Sequence, residues 1–261
     1  MNLHEMEAVI LCGGQGTRLR EETEFKPKPM VEIGGRPILW HIMQRYARFG
    51  VRRFILCLGY KGEMIRDYFL QYRYRNADVV VSLRWNDVQI IGQEPAEDWE
   101  VVLADTGQDT MTGGRIKRAL KHVKGDRFFA TYGDGVADVD CAALLKTHMD
   151  CKRLATVTAV HPSSRYGEID IEEGSVSDFM EKPQVNNGWI NGGYFVFEKK
   201  AFADVSDDPA VVLENDVLPK IVRQKQLTAY HHDGFWQCMD TYREMLMLNG
   251  LIAQGKAPWL S

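Results

Sequence analysis

The sequence predicts an α/β fold: a Rossmann-like mixed, mostly parallel sheet flanked by helices, followed by a smaller β-rich portion. Short β-branched or apolar runs recur through the first two-thirds of the 261 residues, and helical stretches lie between several of them. Strands that alternate with helices form βαβ units, whose strands are parallel. Because 45% of the residues are hydrophobic, the chain can bury a sizeable core, and its length suits one large domain better than two.

The alternating elements fill residues 1–150, the first half of the predicted domain. Strands are predicted at Ala8–Leu11, Arg53–Cys57, Val79–Leu83, Val101–Ala104 and Phe128–Thr131. Helices are predicted at Pro37–Phe49, Gly62–Tyr74, Gly114–His122 and Cys141–Met149.

The pattern changes in the second half, residues 151–261, where short strands are joined by polar turns. Strands are predicted at Ala155–Ala159, Gly167–Ile171, Val176–Phe179, Gly192–Phe197 and Gln226–Tyr230. Helices are predicted at Asp216–Gln224 and Tyr242–Gln254. No repeat or linker separates the halves, so we predict a single domain, residues 1–261, in which both halves share one continuous sheet.

Composition excludes several classes of protein. A net charge of −4 and a pI near 6.0 argue against a general nucleic-acid binder, which is usually basic. No signal-peptide run begins the sequence, and no stretch approaches the ~18 apolar residues of a membrane helix. The five cysteines are scattered without a CxxC pair, as in reduced cytosolic proteins. We therefore predict a cytoplasmic protein with no nucleic-acid or membrane partner.

A glycine-rich segment follows the first predicted strand directly. Leu11–Leu19 reads LCGGQGTRL, and glycines let a backbone bend tightly and bring N–H groups close to phosphate oxygens. The segment is not the dinucleotide fingerprint, because Leu19 stands where the third glycine is needed. It is not a Walker A loop either, because it lacks the Gly-Lys-Ser/Thr ending. Alone, the segment is equally typical of a tight strand-to-helix turn.

The run Lys26–Met30, which reads KPKPM, favours a phosphate site. Its two prolines hold it extended and non-helical, so it is not the solvated face of a helix. Arg18 and Lys28 can therefore converge on one polyphosphate.

GGxGTRL followed by KPKPM resembles the signature of the sugar nucleotidylyltransferases. Further motifs resemble the glucose-1-phosphate cytidylyltransferase branch, and the similarity runs from about residue 8 to residue 259. These motifs are Val31–His41, Asp105–Gly107, Met111–Arg115, Thr131–Val136 and Phe235–Thr241. The resemblance implies cytidylyl transfer from CTP to glucose 1-phosphate, assisted by Mg²⁺ and without a covalent enzyme intermediate. It also implies that residues 1–150 bind the nucleotide and residues 151–261 the sugar phosphate.

The resemblance implies a role for each matching residue. It assigns catalysis to Arg18 and Lys28, and the metal to Asp134 and Asp240. The nucleotide is assigned to Leu11, Cys12, Gly13, Gly14, Gln15, Gly16, Thr17, Thr110, Gly113, Arg115 and Gly133. The sugar phosphate is assigned to Gly167, Glu181, Lys182, Asn191 and Gly192.

Several of these residues also fit a purely structural role. Asp134, between two glycines, fits an Asx turn, and Asp240 fits the N-cap of the helix that begins at Tyr242. Thr110 or Thr112 fits a helix cap in the same way. The Glu181–Pro183 segment is also an ordinary charged turn, and Cys12 is a small buried filler and not a nucleophile.

The sequence is also compatible with other functional classes. They are a nicotinamide-dependent oxidoreductase, a non-catalytic sugar-nucleotide sensor, and the same chemistry with dTTP, UTP or another hexose 1-phosphate. Arg165–Glu168 departs from the usual family pattern, which leaves the sugar open. His231 and His232 do not predict a metal pair, since adjacent strand residues face opposite ways. We expect a homo-oligomer.

Overall fold

The computed structural model describes residues 3–92, 97–162, 167–172, 175–181 and 188–261. Its strands are β1 (Glu7–Leu11), β2 (Glu32–Ile33), β3 (Arg36–Pro37), β4 (Arg53–Leu58), β5 (Asp78–Ser82), β6 (Asp87–Ile91), β7 (Glu100–Asp105), β8 (Arg127–Tyr132), β9 (Gly135–Ala137), β10 (Ala155–Val160), β11 (Gly167–Glu172), β12 (Ser175–Glu181), β13 (Ile190–Glu198), β14 (Leu227–His232) and β15 (Trp236–Cys238). Its α-helices are α1 (Arg20–Thr23), α2 (Ile38–Arg48), α3 (Gly62–Leu70), α4 (Tyr72–Arg75), α5 (Thr112–Ala119), α6 (Cys141–Cys151), α7 (Leu218–Arg223) and α8 (Tyr242–Ala253).

Seven strands form the central sheet, in the order β14-β10-β13-β8-β1-β4-β7. Neighbours pair in parallel at β1–β4, β1–β8, β4–β7 and β10–β14, whereas β13 runs antiparallel to both β10 and β8. Strands from both sides of residue 150 therefore share one sheet. The predicted mixed, mostly parallel sheet is confirmed.

The two faces of the sheet are covered by separate apolar clusters. Successive side chains of a strand point to opposite faces, so Ala8 and Ile10 of β1 pack in one cluster and Val9 and Leu11 in the other. Helices α2, α6 and α8 contribute buried residues to the first cluster, and α5 and α7 to the second. The result is a helix–sheet–helix sandwich.

The predicted strand at Val79–Leu83 forms, but it does not join the central sheet. β5 pairs with β6 in a separate antiparallel hairpin, in which Val79, Val80 and Val81 are all exposed. Its apolar run therefore does not mark a buried strand. The prediction also missed β6 and four short strands, β2, β3, β9 and β15. The pairing of β9 with β15 bears on the site described below.

Helix boundaries differ from the prediction by a few residues. The helix predicted at Gly62–Tyr74 is divided at Gln71 into α3 and α4, and the one predicted at Asp216–Gln224 begins as a π-helical turn, Leu213–Val217, before α7. Within the part of the chain that the structure describes, no helix has the length and apolar character needed to cross a membrane.

Candidate active site

Two adjoining cavities open at the carboxyl ends of the parallel strands, where open α/β sheets bind their ligands. The first, of about 300 Å³, is lined by Leu11, Cys12, Gly13, Gly14, Gly16, Thr17, Arg18, Lys28, Pro29, Thr110, Met111, Thr112, Arg115, Tyr132, Gly133 and Asp134. The second, of about 280 Å³, is lined by Arg18, Thr131, Tyr132, Asp134, Gly135, Asn191, Gly192, Gly193, Tyr194, Trp236, Cys238 and Asp240. Arg18, Tyr132 and Asp134 line both cavities, so they stand at the junction.

Four charged side chains form an ionic cluster at this junction. Lys28 Nζ lies 2.7 Å from Asp134 Oδ2 and 2.5 Å from Asp240 Oδ1, and Arg18 Nη1 lies 2.6 Å from Asp240 Oδ2. The side chain of Lys28 is only 7% exposed, whereas Asp134 and Arg18 are 26% and 70% exposed. The structure therefore brings together both predicted catalytic residues and both predicted metal ligands, which lie far apart in sequence.

Lys28 is a cation held in a largely buried position. Burial alone lowers its pKa, but the Asp134 carboxylate and the hydrogen bonds to Asp134 and Asp240 outweigh that effect, so its pKa is raised. Lys28 therefore stays protonated at neutral pH.

Pairing of β9 with β15 positions the two aspartates. Cys238 is the register partner of Gly135, and the Met239 N–H donates to the Asp134 carbonyl at 2.8 Å. These bonds bring the segment that contains Asp240 alongside the end of β8.

The sequence left Asp240 as either a metal ligand or the N-cap of α8, and the structure shows that it is not the N-cap. Thr241 is the N-cap: its hydroxyl accepts from the Glu244 N–H, and the Glu244 carboxylate accepts from the Thr241 N–H in a capping box. The Asp240 N–H also donates to Glu244, at 2.6 Å. The Asp240 carboxylate is therefore available to Lys28, Arg18 or a metal.

The residues present fit a divalent cation. Ligand atoms of Asp134, Cys238 and Asp240 all lie within 4.8 Å of one another, and no other such group of three was found among the described residues. Lys28 already bridges the two carboxylates, so they are close enough to share one cation. Sequence patterns did not single out Cys238.

In the glycine-rich loop, Gly13 and Gly16 each require glycine, for different structural reasons. Gly16 has φ +63°, a conformation that favours glycine, and its carbonyl accepts from the Leu19 N–H at the entry to the following helical turn. A Cβ at Gly13 would lie 2.1 Å from Arg115 Cζ, because the guanidinium packs against this glycine. Gly14, Gln15 and Thr17 are exposed, so this part of the loop is open to a ligand.

Arg115 is held by the protein itself. Its Nη1 donates to the Leu58 and Gly107 carbonyls and to Thr106 Oγ1, and its Nη2 donates to the Gly13 and Gln108 carbonyls, at distances of 2.7 to 3.1 Å. The residue is 4% exposed, and burial lowers its pKa. These bonds commit both Nη atoms to holding two loops and the end of β4 together, and the assignment of Arg115 to the nucleotide stays a prediction.

The predicted caps of α5 are absent. Thr112 donates its hydroxyl to Glu214 at 2.8 Å and accepts from the Leu213 N–H, and Thr110 accepts from Arg118 at 2.9 Å. Met111 occupies the N-cap position without a side-chain bond. The loop before α5 is thus fixed by more distant partners.

Tyr132 and Glu214 are site residues that the sequence did not reveal. The Tyr132 hydroxyl donates to Glu214 and accepts from Asn191 Nδ2 at 3.4 Å. Burial, followed by the Glu214 carboxylate, raises the pKa of Tyr132, so its hydroxyl stays protonated. Through Glu214 and Thr112, this network joins Asn191 in the second cavity to the wall of the first.

The predicted sugar-phosphate residues are placed only in part. Asn191 and Gly192 line the second cavity, and the Gly192 carbonyl accepts from Trp236 Nε1 at 2.7 Å. Gly167 and Glu181 are register partners in the β11–β12 hairpin. Lys182 lies outside the described residues.

The structure also describes the surroundings of Cys12, Gly133 and the adjacent His231 and His232. Cys12 is buried, and burial raises the pKa of its thiol, which disfavours the nucleophilic thiolate. Gly133 follows β8 and its N–H donates to the Leu11 carbonyl at 3.0 Å, where a Cβ would lie 2.8 Å from that oxygen. His231 is exposed and His232 is buried, so they face opposite ways as expected.

Comparison with known proteins places the chain among enzymes of one kind. A family model described as "Nucleotidyl transferase" matches residues 7–249. The "Glucose-1-phosphate cytidylyltransferase" of Salmonella typhi is 48% identical over 255 residues, covering 97% of this chain and 98% of its own length. The "Probable glucose-1-phosphate cytidylyltransferase" of Bacillus subtilis strain 168 is 41% identical over 254 residues, covering 97% and 99%.

A solved structure agrees in fold. HddC from Yersinia pseudotuberculosis, crystallised in complex with GMP-PN, superposes with a TM-score of 0.68 at 25% identity and covers 95% of this chain and 99% of its own.

Proposed function

The chain belongs to the nucleotidyl transferase family, and we propose that it transfers the cytidylyl group of CTP to glucose 1-phosphate, giving CDP-glucose and pyrophosphate. One observation carries the proposal beyond family membership. The cavity beside the glycine-rich loop and the cavity beside Asn191 meet at Asp134, where a nucleotide in one and a sugar phosphate in the other would bring their phosphates together.

The chemistry needs positioning and positive charge more than proton transfer. An oxygen of the sugar phosphate attacks the α-phosphorus of CTP, and the bond from that phosphorus to pyrophosphate breaks. The attacking phosphate is already ionised at pH 7, so no general base is required. The barrier lies in bringing two polyanions together and stabilising charge at the α-phosphate.

Lys28 and Arg18 are the cations that the site offers for this task. Lys28 is held protonated and nearly buried at the junction, so its charge acts in a region from which much of the water is excluded. Arg18 is exposed at the rim, where its guanidinium can turn from Asp240 to the departing pyrophosphate. Both are proposed to stabilise the phosphates as pyrophosphate leaves.

Asp134 and Asp240 are proposed to hold Mg²⁺, whose usual ligands are one or two carboxylates together with phosphate oxygens and water. When bound, such an ion supplies Lewis-acid stabilisation of the phosphoryl oxygens. A cation at these carboxylates would compete with the Lys28 ammonium and release it toward the phosphates.

The sugar is proposed to be bound on the side of the second cavity. Asn191 and Gly192 line it. By family resemblance, Glu181 is proposed to accept hydrogen bonds from the sugar hydroxyls, and Lys182 to contact the sugar phosphate. Another hexose 1-phosphate, or UTP or dTTP in place of CTP, is the alternative within the same chemistry.

A pyrophosphate-release assay tests this function directly. We would supply CTP, UTP, dTTP and GTP in turn, each with glucose 1-phosphate, mannose 1-phosphate or galactose 1-phosphate, with Mg²⁺ and with EDTA. The proposal expects the highest specificity constant for CTP with glucose 1-phosphate, and no release in EDTA. Absence of pyrophosphate release with every combination of nucleotide and sugar phosphate would contradict it. Release that persists in EDTA would contradict it equally.

We also propose that the protein is cytoplasmic and self-associates. All five cysteines are free thiols, as a reducing compartment favours.

The β5–β6 hairpin exposes Leu83 and Trp85 at 92% and 71%. A lone two-stranded hairpin is marginal in water, so a second copy of the chain is its proposed cover. Light scattering should give a mass above one chain of 29.8 kDa. Leu83→Glu should lower that mass. A wild-type mass equal to that of one chain would contradict the proposal.

A further inference from the structure

Cys238 lies beside the proposed metal ligands. It ends β15 two residues before Asp240, and its register partner Gly135 directly follows Asp134. The thiol lines the second cavity, is only partly buried, and lies 3.8 Å from the Asp134 carbonyl oxygen. The fold thus places a sulfur donor next to two carboxylates that come from distant parts of the chain.

The three donors are close enough to contact one ion. The ligand atoms of Asp134, Cys238 and Asp240 lie within 4.8 Å of one another, and the Lys28 ammonium bridges the two carboxylates at 2.7 and 2.5 Å. Mg²⁺ takes oxygen ligands and has little use for sulfur, whereas Zn²⁺, Co²⁺ and Cd²⁺ accept both. A site with two carboxylates and one thiol therefore differs from a site made of oxygen alone.

We propose that Asp134, Asp240 and Cys238 form a site for thiophilic divalent cations that overlaps the Mg²⁺ site. On binding, a sulfur–metal bond forms, the thiol proton passes to solvent, and no electron is transferred. Such a cation displaces the Lys28 ammonium from the two carboxylates. The inference rests on the metal role proposed above for the aspartates, and not on the identity of the substrates.

Competition with Mg²⁺ follows from the shared carboxylates. The sulfur adds a ligand that Mg²⁺ does not use, so Cd²⁺ is held more tightly by the wild type than by a variant without the thiol. We expect the loss of Cys238 to weaken Cd²⁺ binding at least about tenfold, the lower end of what loss of an outer-shell partner costs at a metal site.

The test is a Cd²⁺ titration of the substrate-free protein, followed by the sulfur-to-cadmium charge-transfer absorption in the ultraviolet. Four proteins are compared: wild type, Cys238→Ser, Asp134→Asn, and Cys151→Ser as a matched control, because Cys151 is an exposed free thiol elsewhere. We expect the band in the wild type and in Cys151→Ser, its loss in Cys238→Ser, and weaker Cd²⁺ binding in Asp134→Asn. Excess Mg²⁺ should suppress the band.

Two results would overturn the inference. They are absence of the band in the wild type, and its persistence in Cys238→Ser with a far-ultraviolet circular dichroism spectrum like that of the wild type. If Cys238→Ser does not fold, the ¹¹³Cd chemical shift of the wild-type complex decides, because a thiolate ligand shifts the resonance far from that of an oxygen-only site. An oxygen-only shift would equally refute the inference.

Failure of this inference and failure of the proposed function give different results. If the thiolate band is absent while CDP-glucose formation still requires Mg²⁺ and Asp134, only the sulfur ligand is wrong. If the band is present but no nucleotide and sugar phosphate release pyrophosphate, the proposed function is wrong and the metal site stands.

Discussion

Two charged clusters lie beside the first cavity, and they differ in what holds their charges. In the open cluster, Lys28 and Arg18 are paired with the side chains of Asp134 and Asp240, at the junction with the second cavity. In the closed cluster, the Arg115 guanidinium donates to four backbone carbonyls and one threonine hydroxyl.

The difference shows how to distinguish a charge that is available to a ligand from a charge that only holds the structure together. Side-chain carboxylates can exchange Lys28 or Arg18 for a metal, because the carboxylates of Asp134 and Asp240 are 26% and 16% exposed and are not part of the backbone. Backbone carbonyls cannot move away without unfolding the loops, and Arg115 is 4% exposed. The open cluster therefore stays the proposed catalytic one, and the closed cluster holds loops in position, although both contain basic residues.

The largest effect is expected for Asp134→Asn, which removes a charge from the open cluster with little change in shape. Loss of a metal contact should cost about 3 kcal/mol or more of transition-state stabilisation, roughly a hundredfold in kcat. Steady-state kinetics at saturating Mg²⁺ measure this. Near-normal turnover in a folded variant would remove Asp134 from the metal site.

Lys28→Ala should follow closely. Because Lys28 is proposed to stabilise charge that develops as pyrophosphate leaves, kcat should fall at least as strongly as KM for CTP rises, by roughly tenfold to a hundredfold. Both constants come from the same CTP titration. A change confined to KM would show that Lys28 binds the ground state and the transition state equally.

Arg115→Lys tests the closed cluster, since it keeps the charge and removes the planar fork of donors. Several buried carbonyls would lose their donor, at about 1–3 kcal/mol for a buried unsatisfied group, so we expect unfolding free energy to fall by about 2 kcal/mol. Urea unfolding measures the loss. If stability stayed unchanged while CTP affinity collapsed, Arg115 would be a base-contacting residue after all.

The smallest effect is expected beside Asp240, at the neighbouring cap. Thr241→Ala should lower unfolding free energy by ~1 kcal/mol through loss of the N-cap, with turnover retained. Asp240→Asn should do the reverse, with stability little changed and turnover reduced like that of Asp134→Asn. Paired unfolding and turnover measurements compare the two. Retained activity in Asp240→Asn would take Asp240 out of the metal site.

Sequence patterns predicted the parts of the molecule that depend on local order. The alternation of strands and helices, the glycine-rich loop and the Pro-flanked Lys28 each depend on a few neighbouring residues. The two aspartates were identified by family resemblance, and the capping box at Thr241 then showed that Asp240 is free of the capping role.

The parts that could not be predicted depend on distant partners. Tyr132 and Glu214 are 82 residues apart, and Cys238 is 104 residues from Asp134, so no local pattern joins them. Whether Arg115 is free or held is decided by carbonyls from two separate loops and from the end of β4. The exposed β5–β6 hairpin has the apolar composition of a buried strand, and only the tertiary structure distinguishes the two.

Base selectivity is the most direct test of cytidylyl transfer. Cytosine and uracil reverse the hydrogen-bonding sense at position 4 and at N3, and each buried group left unpaired costs ~1–3 kcal/mol. CTP and UTP would be supplied together at equal concentration with glucose 1-phosphate and Mg²⁺, and the two sugar nucleotides quantified by mass spectrometry at low conversion. We predict an excess of CDP-glucose over UDP-glucose of about 10²–10⁴. Equal amounts would contradict cytidylyl specificity and leave only membership of the nucleotidyl transferase family.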